Sequence, residues 1–453
     1  MTPPYSSTIE QHDKLKFEIC IYTILSDVVY WCHHTGGGNG MRFLKFTALL
    51  MCALLLAGCA QPQTQPTEGM TNTMQTQPTT QPELTDYDRM LERSILNMGN
   101  AYRLQQKIRA AQNGEDITIA YIGGSITEGP DVKPAERYVT LSYHEFEDAY
   151  CNGGKVTSIN AGLSGTPSNL GVLRLQRDVL DHEPDIVFVE FAVNDSQDFQ
   201  EKQCFESLIR TVLEQENEPA VVLIFNRTQD GYTCQSTMGL TGMYYSLPMI
   251  SVNDAVTTEM EEGRLTWEEF SDDTVHPNAH GHRLTADFIA HMFRLADQGT
   301  WEEYKVPESK QFQAPFMNAV MITPESEDTG AVEITDLGSF TFYRGNRTGF
   351  ATQWRCDGTE GFQFTVTGNA VFLIFNRNKT ANMGSADVYI NGEKAMTINA
   401  CDPNGWGDPW SQMLVKSKTV ETYEIEIRIA EGSEDKLFEI YGIAYSQNQN
   451  GTE

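Results

Sequence analysis

The segment IAYIGGSITEG, Ile119 to Gly129, runs from an apolar stretch into two glycines and then Ser125. Glycine and serine are ordinary turn residues, so a plain turn is one reading. The other is a hydroxyl displayed for chemistry at the end of a buried strand. Far along the chain, SDDTVHPNAHGHRLTADFIAHMF places Asp273 three residues before His276, just ahead of a helix opening near Asn278. An aspartate at that spacing can lie beside the imidazole and orient it. Serine is a poor nucleophile until a base takes its proton, so His276 within hydrogen-bond reach would activate Ser125. NAGLSGTPSNLG adds Gly162 and Gly165, candidate backbone donors in a tight turn, and FAVND adds Asn194 and Asp195. These are the parts of an acyl-transfer site. The pattern G-x-S-x-G fails at both candidate serines, because Thr127 and Thr166 stand two residues after Ser125 and Ser164.

Such residues need a frame that brings them to one edge. Apolar runs at ITIAYIG (117–123), KVTSIN (155–160), DIVFVEFAV (185–193), AVVLIFN (220–226) and LPMISV (247–252) alternate with helical patterns. QCFESLIRTVLEQEN, for example, puts Phe205, Leu208, Ile209, Val212 and Leu213 on one helix face. Short apolar strands spaced by helices predict a parallel sheet covered on both faces, with ligands beyond the carboxyl ends of its strands. Ser125, the Gly162–Gly165 turn and Asn194 each follow such a run. Glu190 falls in the buried third strand on the face of Asn194, where it either tunes the site or pairs with a neighbouring donor. Asp195 reads as a turn residue. His276, His280 and His282 could suggest a metal, but read as one base and two surface or helix-packing residues.

GGSIT, NAGLSGT, FAVND and DTVHPN, in that order, resemble the four ordered blocks of the SGNH (GDSL-like) hydrolases over about residues 85 to 300. The resemblance implies a three-layer α/β/α, flavodoxin-like domain with a parallel sheet, here residues 84–300. It implies Ser125 as nucleophile, His276 as base and Asp273 orienting His276. An oxyanion hole would come from the Gly165 N–H, the Asn194 side-chain amide and the N–H of Ser125. No metal and no organic cofactor is implied. One departure is visible: Gly124 stands where the family has an aspartate before the serine. That loses a polar contact near the nucleophile but no member of the triad.

After a linker over 301–315, around YKVPESKQFQAP, residues 316–448 change character. AVEITDLG, EGFQFTVTG, AVFLIFN, ADVYINGEKAMTINA, TYEIEIRIA and LFEIYGIAYS alternate apolar and polar residues, and Asn391-Gly392 signals a hairpin. This predicts a β-sandwich of jelly-roll type. Modules of this kind accompany SGNH esterases that act on polysaccharides, where they resemble carbohydrate-binding domains; a buttress for the catalytic domain is the alternative. NACDPNGWGDPWSQ reads as a loop between two strands, whose Trp406 and Trp410 could stack on sugar rings or plug the seam between domains. Cys151, Cys204, Cys234, Cys356 and Cys401 contain no CxxC pair. A bridge between Cys356 and Cys401 is one option, and buried free thiols the reading taken.

At the other end, MRFLKFTALLMCALLLAGCAQ begins at Met41 with Arg42 and Lys45 and closes in Leu-Ala-Gly-Cys. It reads as a signal peptide over 41–58 with a lipobox that makes Cys59 the lipidated mature N-terminus, its apolar run being short for a membrane span. Met41 then reads as the true start, with 1–40 a translated upstream extension. Residues 59–83, rich in Gln, Thr and Pro, cannot bury a core and read as a disordered tether. A formal net charge of −30 disfavours nucleic acid or an anionic membrane surface as partner and favours a neutral ligand. The combined expectation is an exported lipoprotein anchored outside the cytoplasmic membrane. It would be a serine esterase removing acyl groups, acetyl by resemblance, from an acylated glycan or a small ester. A lipase, thioesterase or lysophospholipase on the same fold, and a non-catalytic glycan-binding lipoprotein, are the alternatives.

Overall fold

The computed structural model describes residues 83–448. The upstream extension, the signal peptide, Cys59 and the tether up to residue 82 lie outside the described residues. In chain order, the first part comprises α1 (Asp86–Arg93), β1 (Ile95–Asn97), α2 (Tyr102–Gln112), β2 (Ile117–Gly123) and α3 (Ser125–Glu128). Then come α4 (Tyr138–Tyr150), β3 (Val156–Gly162), α5 (Ser168–Asp178), β4 (Ile186–Glu190), α6 (Phe199–Leu213) and β5 (Ala220–Phe225). It ends with α7 (Gln235–Tyr244), β6 (Met249–Ser251), α8 (Val252–Glu261), α9 (Trp267–Phe270) and α10 (Ala279–Gln298).

The sheet order is β1-β6-β5-β4-β2-β3, and β2 to β6 pair in parallel. Numbered by themselves, the five parallel strands run 2-1-3-4-5, the flavodoxin-like order. Every residue of β4 and β5 is buried. A strand covered on both faces has no solvent side, so IVFVE and AVVLIF are unbroken apolar runs apart from the terminal Glu190. The chain changes the direction of sheet growth beside β2, leaving a crevice between the ends of β2 and β4. Ser125 follows the first of these strands and Asn194 the second.

Two details differ from the expected parallel sheet. β1 joins the edge antiparallel to β6, which makes the sheet mixed. A three-residue edge strand is too short to leave a periodic pattern. The third run also stops early: the Phe191 carbonyl accepts the N–H groups of Asn194 at 3.0 Å and Asp195 at 3.1 Å, closing a turn straight after Glu190.

The second part holds β7 (Val320–Ile322), β8 (Val332–Asp336), β9 (Phe340–Arg347), β10 (Phe350–Cys356), β11 (Phe362–Asn378), β12 (Ser385–Ile390), β13 (Glu393–Asn399), β14 (Trp406–Ile429) and β15 (Phe438–Ser446). All pair antiparallel within one hydrogen-bonded array of order β13-β12-β14-β11-β15-β10-β9, with β7 on β15 and β8 on β11. Asn391 and Gly392 both take positive φ, 51° and 84°, as a two-residue hairpin turn requires. EGFQFTVTG and AVFLIFN are one strand, β11, which shifts register between Gly368 and Ala370. The β9–β10 hairpin has no counterpart among the expected strands. The tryptophan-rich stretch is also not a loop beyond Gly405. Trp406 and Trp410 open β14, opposite Asn378 and Phe375 of β11. Its first half is paired on that side only, since β12 meets β14 at 425–429, and a strand edge accepts Pro409. Cys356 and Cys401 are free thiols, Cys356 buried and Cys401 half-buried.

The two parts share a core. Leu163, Leu170, Phe191 and Phe205 of the first pack in one buried cluster with Phe350, Ala370, Phe372 and Ala444 of the second. The connecting segment is strapped down on α6. The buried Glu206 carboxylate accepts the backbone N–H groups of Phe312 at 2.6 Å and Ala314 at 3.2 Å. One turn on, the Arg210 guanidinium donates to the carbonyls of Pro307 at 2.8 Å and Ser309 at 2.7 Å.

Candidate active site

Ser125 is the first residue of α3, a single turn closed by Gly129 in the left-handed region. Being first, its N–H has no intrahelical acceptor. Its hydroxyl lies 2.8 Å from His276 Nε2, and His276 Nδ1 lies 2.7 Å from Asp273 Oδ2. With the ring proton on Nδ1 donated to Asp273, Nε2 is free to accept from Ser125. The loop holding both residues is braced. Asp273 Oδ1 accepts the N–H groups of Val275 at 2.7 Å and His276 at 2.6 Å, and Trp267 Nε1 donates to the Asp273 carbonyl at 2.6 Å. Asn278 then caps α10 through the N–H groups of His280 and Gly281. Partial burial works to raise the Asp273 carboxyl, but hydrogen bonds from the His276 ring and from the two backbone N–H groups outweigh it and hold it below the ordinary range.

The other expected donors converge on the same edge. A Cβ added to Gly124 would stand 2.1 Å from Asn194 Oδ1. A side chain at position 124 would therefore collide with the Asn194 amide in its present position. Gly165 has φ +72°, and a Cβ there would meet Trp406 Cζ2 at 2.8 Å. Among the described residues, the N–H groups of Ser125 and Gly165 and the Asn194 side-chain NH₂ have no protein acceptor. Unpartnered N–H donors at strand ends that present a serine are suited to receive developing negative charge. The strand ends behind them are tied by Arg174, which is 1% exposed and donates to the carbonyls of Gly123 at 3.0 Å and Ala161 at 2.7 Å.

Trp406, 48% exposed, reaches this edge from the β-domain. Trp410 does not: it packs against the β-domain core, with the Arg377 guanidinium 3.7 Å from its ring centroid. His280 Nδ1 pairs with the Glu269 carbonyl at 3.0 Å, and buried His282 accepts the Tyr138 N–H through Nδ1 at 3.1 Å. Burial, reinforced by the cations nearby, pushes the His282 imidazole down to about 4. Among the described residues no group of three or more His, Cys, Asp or Glu is placed to hold a metal ion. Asp195 is buried and accepts the Ser168 N–H at 2.6 Å, so it anchors the start of α5 as well as its own turn.

Two residues were missed at the level of sequence. The exposed Asp131 carboxylate lies 3.7 Å from His276 Nδ1, beyond Asp273. Arg347, at the end of β9, donates to the Ser164 carbonyl at 3.0 Å. Position 131 carried only a Pro-Asp turn signal, and position 347 none.

Glu190 is fully buried beneath the nucleophile turn, with Oε2 3.5 Å from the Thr127 hydroxyl and Oε1 without a partner. Burial pushes its carboxyl up from 4.5 to about 7, hydrogen bonds opposing only in part. A carboxyl raised on folding holds its proton in the folded chain and loses it in the unfolded chain between those values. Its contribution to stability is therefore full below pH 4.5 and lost as pH rises through about 7. Glu190→Gln lacks this loss, so its stability relative to the parent should improve from about pH 5 to about pH 8 by on the order of 3 kcal/mol. Urea unfolding at the two pH values measures it; parallel behaviour of the two proteins would mean that Glu190 is ionised in place.

Residues 121–284 match the family described as GDSL-like Lipase/Acylhydrolase. Thioesterase 1/protease 1/lysophospholipase L1 of Escherichia coli K12 is 25% identical over 177 residues, 38% of this chain and 81% of that protein. Two solved structures of a two-domain esterase active on acetylated mannans resemble the chain across both of its parts. One is 24% identical with a TM-score of 0.70, covering 79% of this chain and 99% of that one. The second, co-crystallized with mannopentaose, is 25% identical with a TM-score of 0.70, covering 79% of this chain and 98% of that one. With the four sequence blocks, the 2-1-3-4-5 sheet and the serine–histidine–aspartate contact on one edge, residues 121–284 form a GDSL-like lipase/acylhydrolase domain of the SGNH type.

Proposed function

We propose that this chain is a serine esterase that removes acyl groups, acetyl above all, from a polysaccharide or oligosaccharide outside the cytoplasmic membrane. The observation that carries the reading is the relay from Ser125 Oγ through His276 to Asp273. His276 Nε2 takes the hydroxyl proton as Ser125 Oγ bonds to the ester carbonyl carbon. Asp273 balances the imidazolium, and the N–H groups of Ser125 and Gly165 with the Asn194 amide receive the oxyanion. The proton then passes from His276 to the departing sugar oxygen as the C–O bond breaks. Water, deprotonated by the same nitrogen, attacks the acyl-serine; the Ser125 Oγ–acyl bond breaks, His276 returns the proton to Oγ, and the carboxylic acid leaves.

The glycan part of the reading is supported by the likeness to a two-domain esterase whose substrates are acetylated mannans. It is also supported by Trp406, a half-exposed indole set over the Gly165 turn. An aromatic face beside the acyl site suits a sugar ring carrying the ester, whereas Trp410 serves packing. A thioesterase or lysophospholipase is the alternative that the Escherichia coli relative supports. For location, the Arg-Lys start, short apolar run and Leu-Ala-Gly-Cys of residues 41–59 support lipidation at Cys59.

Ser125→Ala should reduce ester hydrolysis at least about 1,000-fold without lowering the melting temperature. The parent should hydrolyse nitrophenyl acetate faster than longer nitrophenyl esters and release acetate from acetylated mannan. A preference for long chains would move the assignment to the lipase or lysophospholipase side.

Trp406→Ala should cut kcat/KM for an acetylated oligosaccharide about tenfold more than for nitrophenyl acetate, since stacking on a sugar face buries apolar area. Equal losses on both substrates would make Trp406 a packing residue.

Mass spectrometry of the membrane fraction should find a mature chain that starts at lipid-modified Cys59. An unmodified Cys59 would remove the anchor from the proposal.

A further inference from the structure

The oxyanion peptide is held from the other domain. Gly165 has to be glycine, because its φ of +72° and the Trp406 ring 2.8 Å from a Cβ position leave no room for a side chain. That requirement brings a weakness. Glycine populates positive and negative φ about equally, so the Ser164–Gly165 peptide can rotate half a turn at little intrinsic cost. In a planar trans peptide the C=O and the N–H point in opposite directions. A half turn would therefore aim the Ser164 carbonyl where the Gly165 N–H now points, replacing a donor with an acceptor beside the developing negative charge.

Two groups bear on this peptide. On its N-terminal side, the Glu128 carboxylate of α3 accepts the Ser164 N–H at 2.7 Å and also the Ser164 hydroxyl. That fixes Ser164 but leaves the plane of the next peptide free. The Ser164 carbonyl itself is held by the Arg347 guanidinium, whose Nη2 donates to it at 3.0 Å. Arg347 is placed in turn by the β-domain. Its guanidinium lies 4.4 Å from the Trp406 ring centroid, so that Gly165, Trp406 and Arg347 form a stack. Its partner in the hairpin register, Phe350, is buried in the shared core beneath the Arg177 guanidinium. The turn at Gly349 rests near the Leu163 side chain, two residues before Gly165.

We propose that Arg347 is a positioning residue that completes the oxyanion hole from the β-domain, by holding the Ser164 carbonyl so that the Gly165 N–H of the same peptide faces the substrate. The proposal rests on the acyl-transfer reading of Ser125. Arg347 need not touch substrate: its hydrogen bond fixes the peptide orientation and its charge polarises the amide, strengthening the N–H as a donor. The β-domain thereby takes part in catalysis of any ester, small or polymeric.

Steady-state kinetics on nitrophenyl acetate test this, because that substrate is too small to use a sugar subsite. Arg347→Ala and Arg347→Met should lower kcat by about ten- to a hundredfold with KM changed less than about threefold. Arg347→Lys, which keeps one charged donor, should recover part of the loss, and free guanidinium added to Arg347→Ala should restore some activity. A kcat within about threefold of the parent in Arg347→Ala, or a loss confined to KM, would overturn the proposal. Should the alanine variant fold poorly, the lysine and methionine variants decide by the same kcat-against-KM split. Ser125→Ala, measured alongside, separates the two levels. Activity surviving in Ser125→Ala sinks the acyl-transfer reading itself. An inactive Ser125→Ala beside a fully active Arg347→Ala sinks the role of Arg347 alone.

Discussion

The buried guanidinium of Arg174 is the interaction on which the geometry of this edge depends. It bridges the carbonyls of Gly123 and Ala161 at the ends of β2 and β3, and Asp178, at 3.0 Å, balances its charge. A cation taken out of water costs several kcal/mol unless it is paired and hydrogen-bonded, so these partners are obligatory. Gly123 stands two residues before Ser125, and Ala161 four before Gly165. One side chain thus sets the distance between the turn that presents the hydroxyl and the turn that presents the oxyanion donor. It also supplies donors to carbonyls at the point where the strands part. Burial itself pulls the guanidinium downward, with the Asp178 carboxylate opposing.

Around that fixed point, polar groups are held in pairs, the first buried and the second half-buried. Asp195 anchors α5 through Ser168, and Glu128 anchors the oxyanion turn through Ser164. The relay itself is more open, with the Asp273 side chain 51% exposed against 28% for His276. An exposed aspartate makes a loosely held base unless its loop is stiff. The Trp267 and Val275 hydrogen bonds provide that stiffness.

Much of this was legible in the sequence, for reasons that can be named. β4 and β5 have no solvent face, so their apolar runs were unbroken. The three-residue spacing of Asp273 and His276 is local and needs no knowledge of the fold. The order of four short blocks placed Ser125, Gly165 and Asn194 on strand ends. What stayed hidden depends on distant contacts or on edges. Arg347 acts on a carbonyl 183 residues away in sequence, which no local pattern encodes. The start of β14 looked like a loop because Gly, Pro and Trp are turn and surface residues on average. Residues 406–424 of that strand form an edge, where a proline does no harm to the ladder. The Gly124 departure reads in sequence as a lost polar contact, and only the packing shows how closely the Asn194 amide approaches that position.

The strap on Glu206 carries a consequence for how the chain can be divided. A sequence reader ends the first part near residue 300 and pictures two cassettes that could be exchanged or shed. Cutting there would strip the N–H groups of Phe312 and Ala314 from the buried Glu206 carboxylate. It would also lay bare the apolar seam shared by Phe191, Phe350 and Phe372. Separating the two parts would therefore cost each of them buried contacts. A change of residue along the seam is likewise felt on both sides of it.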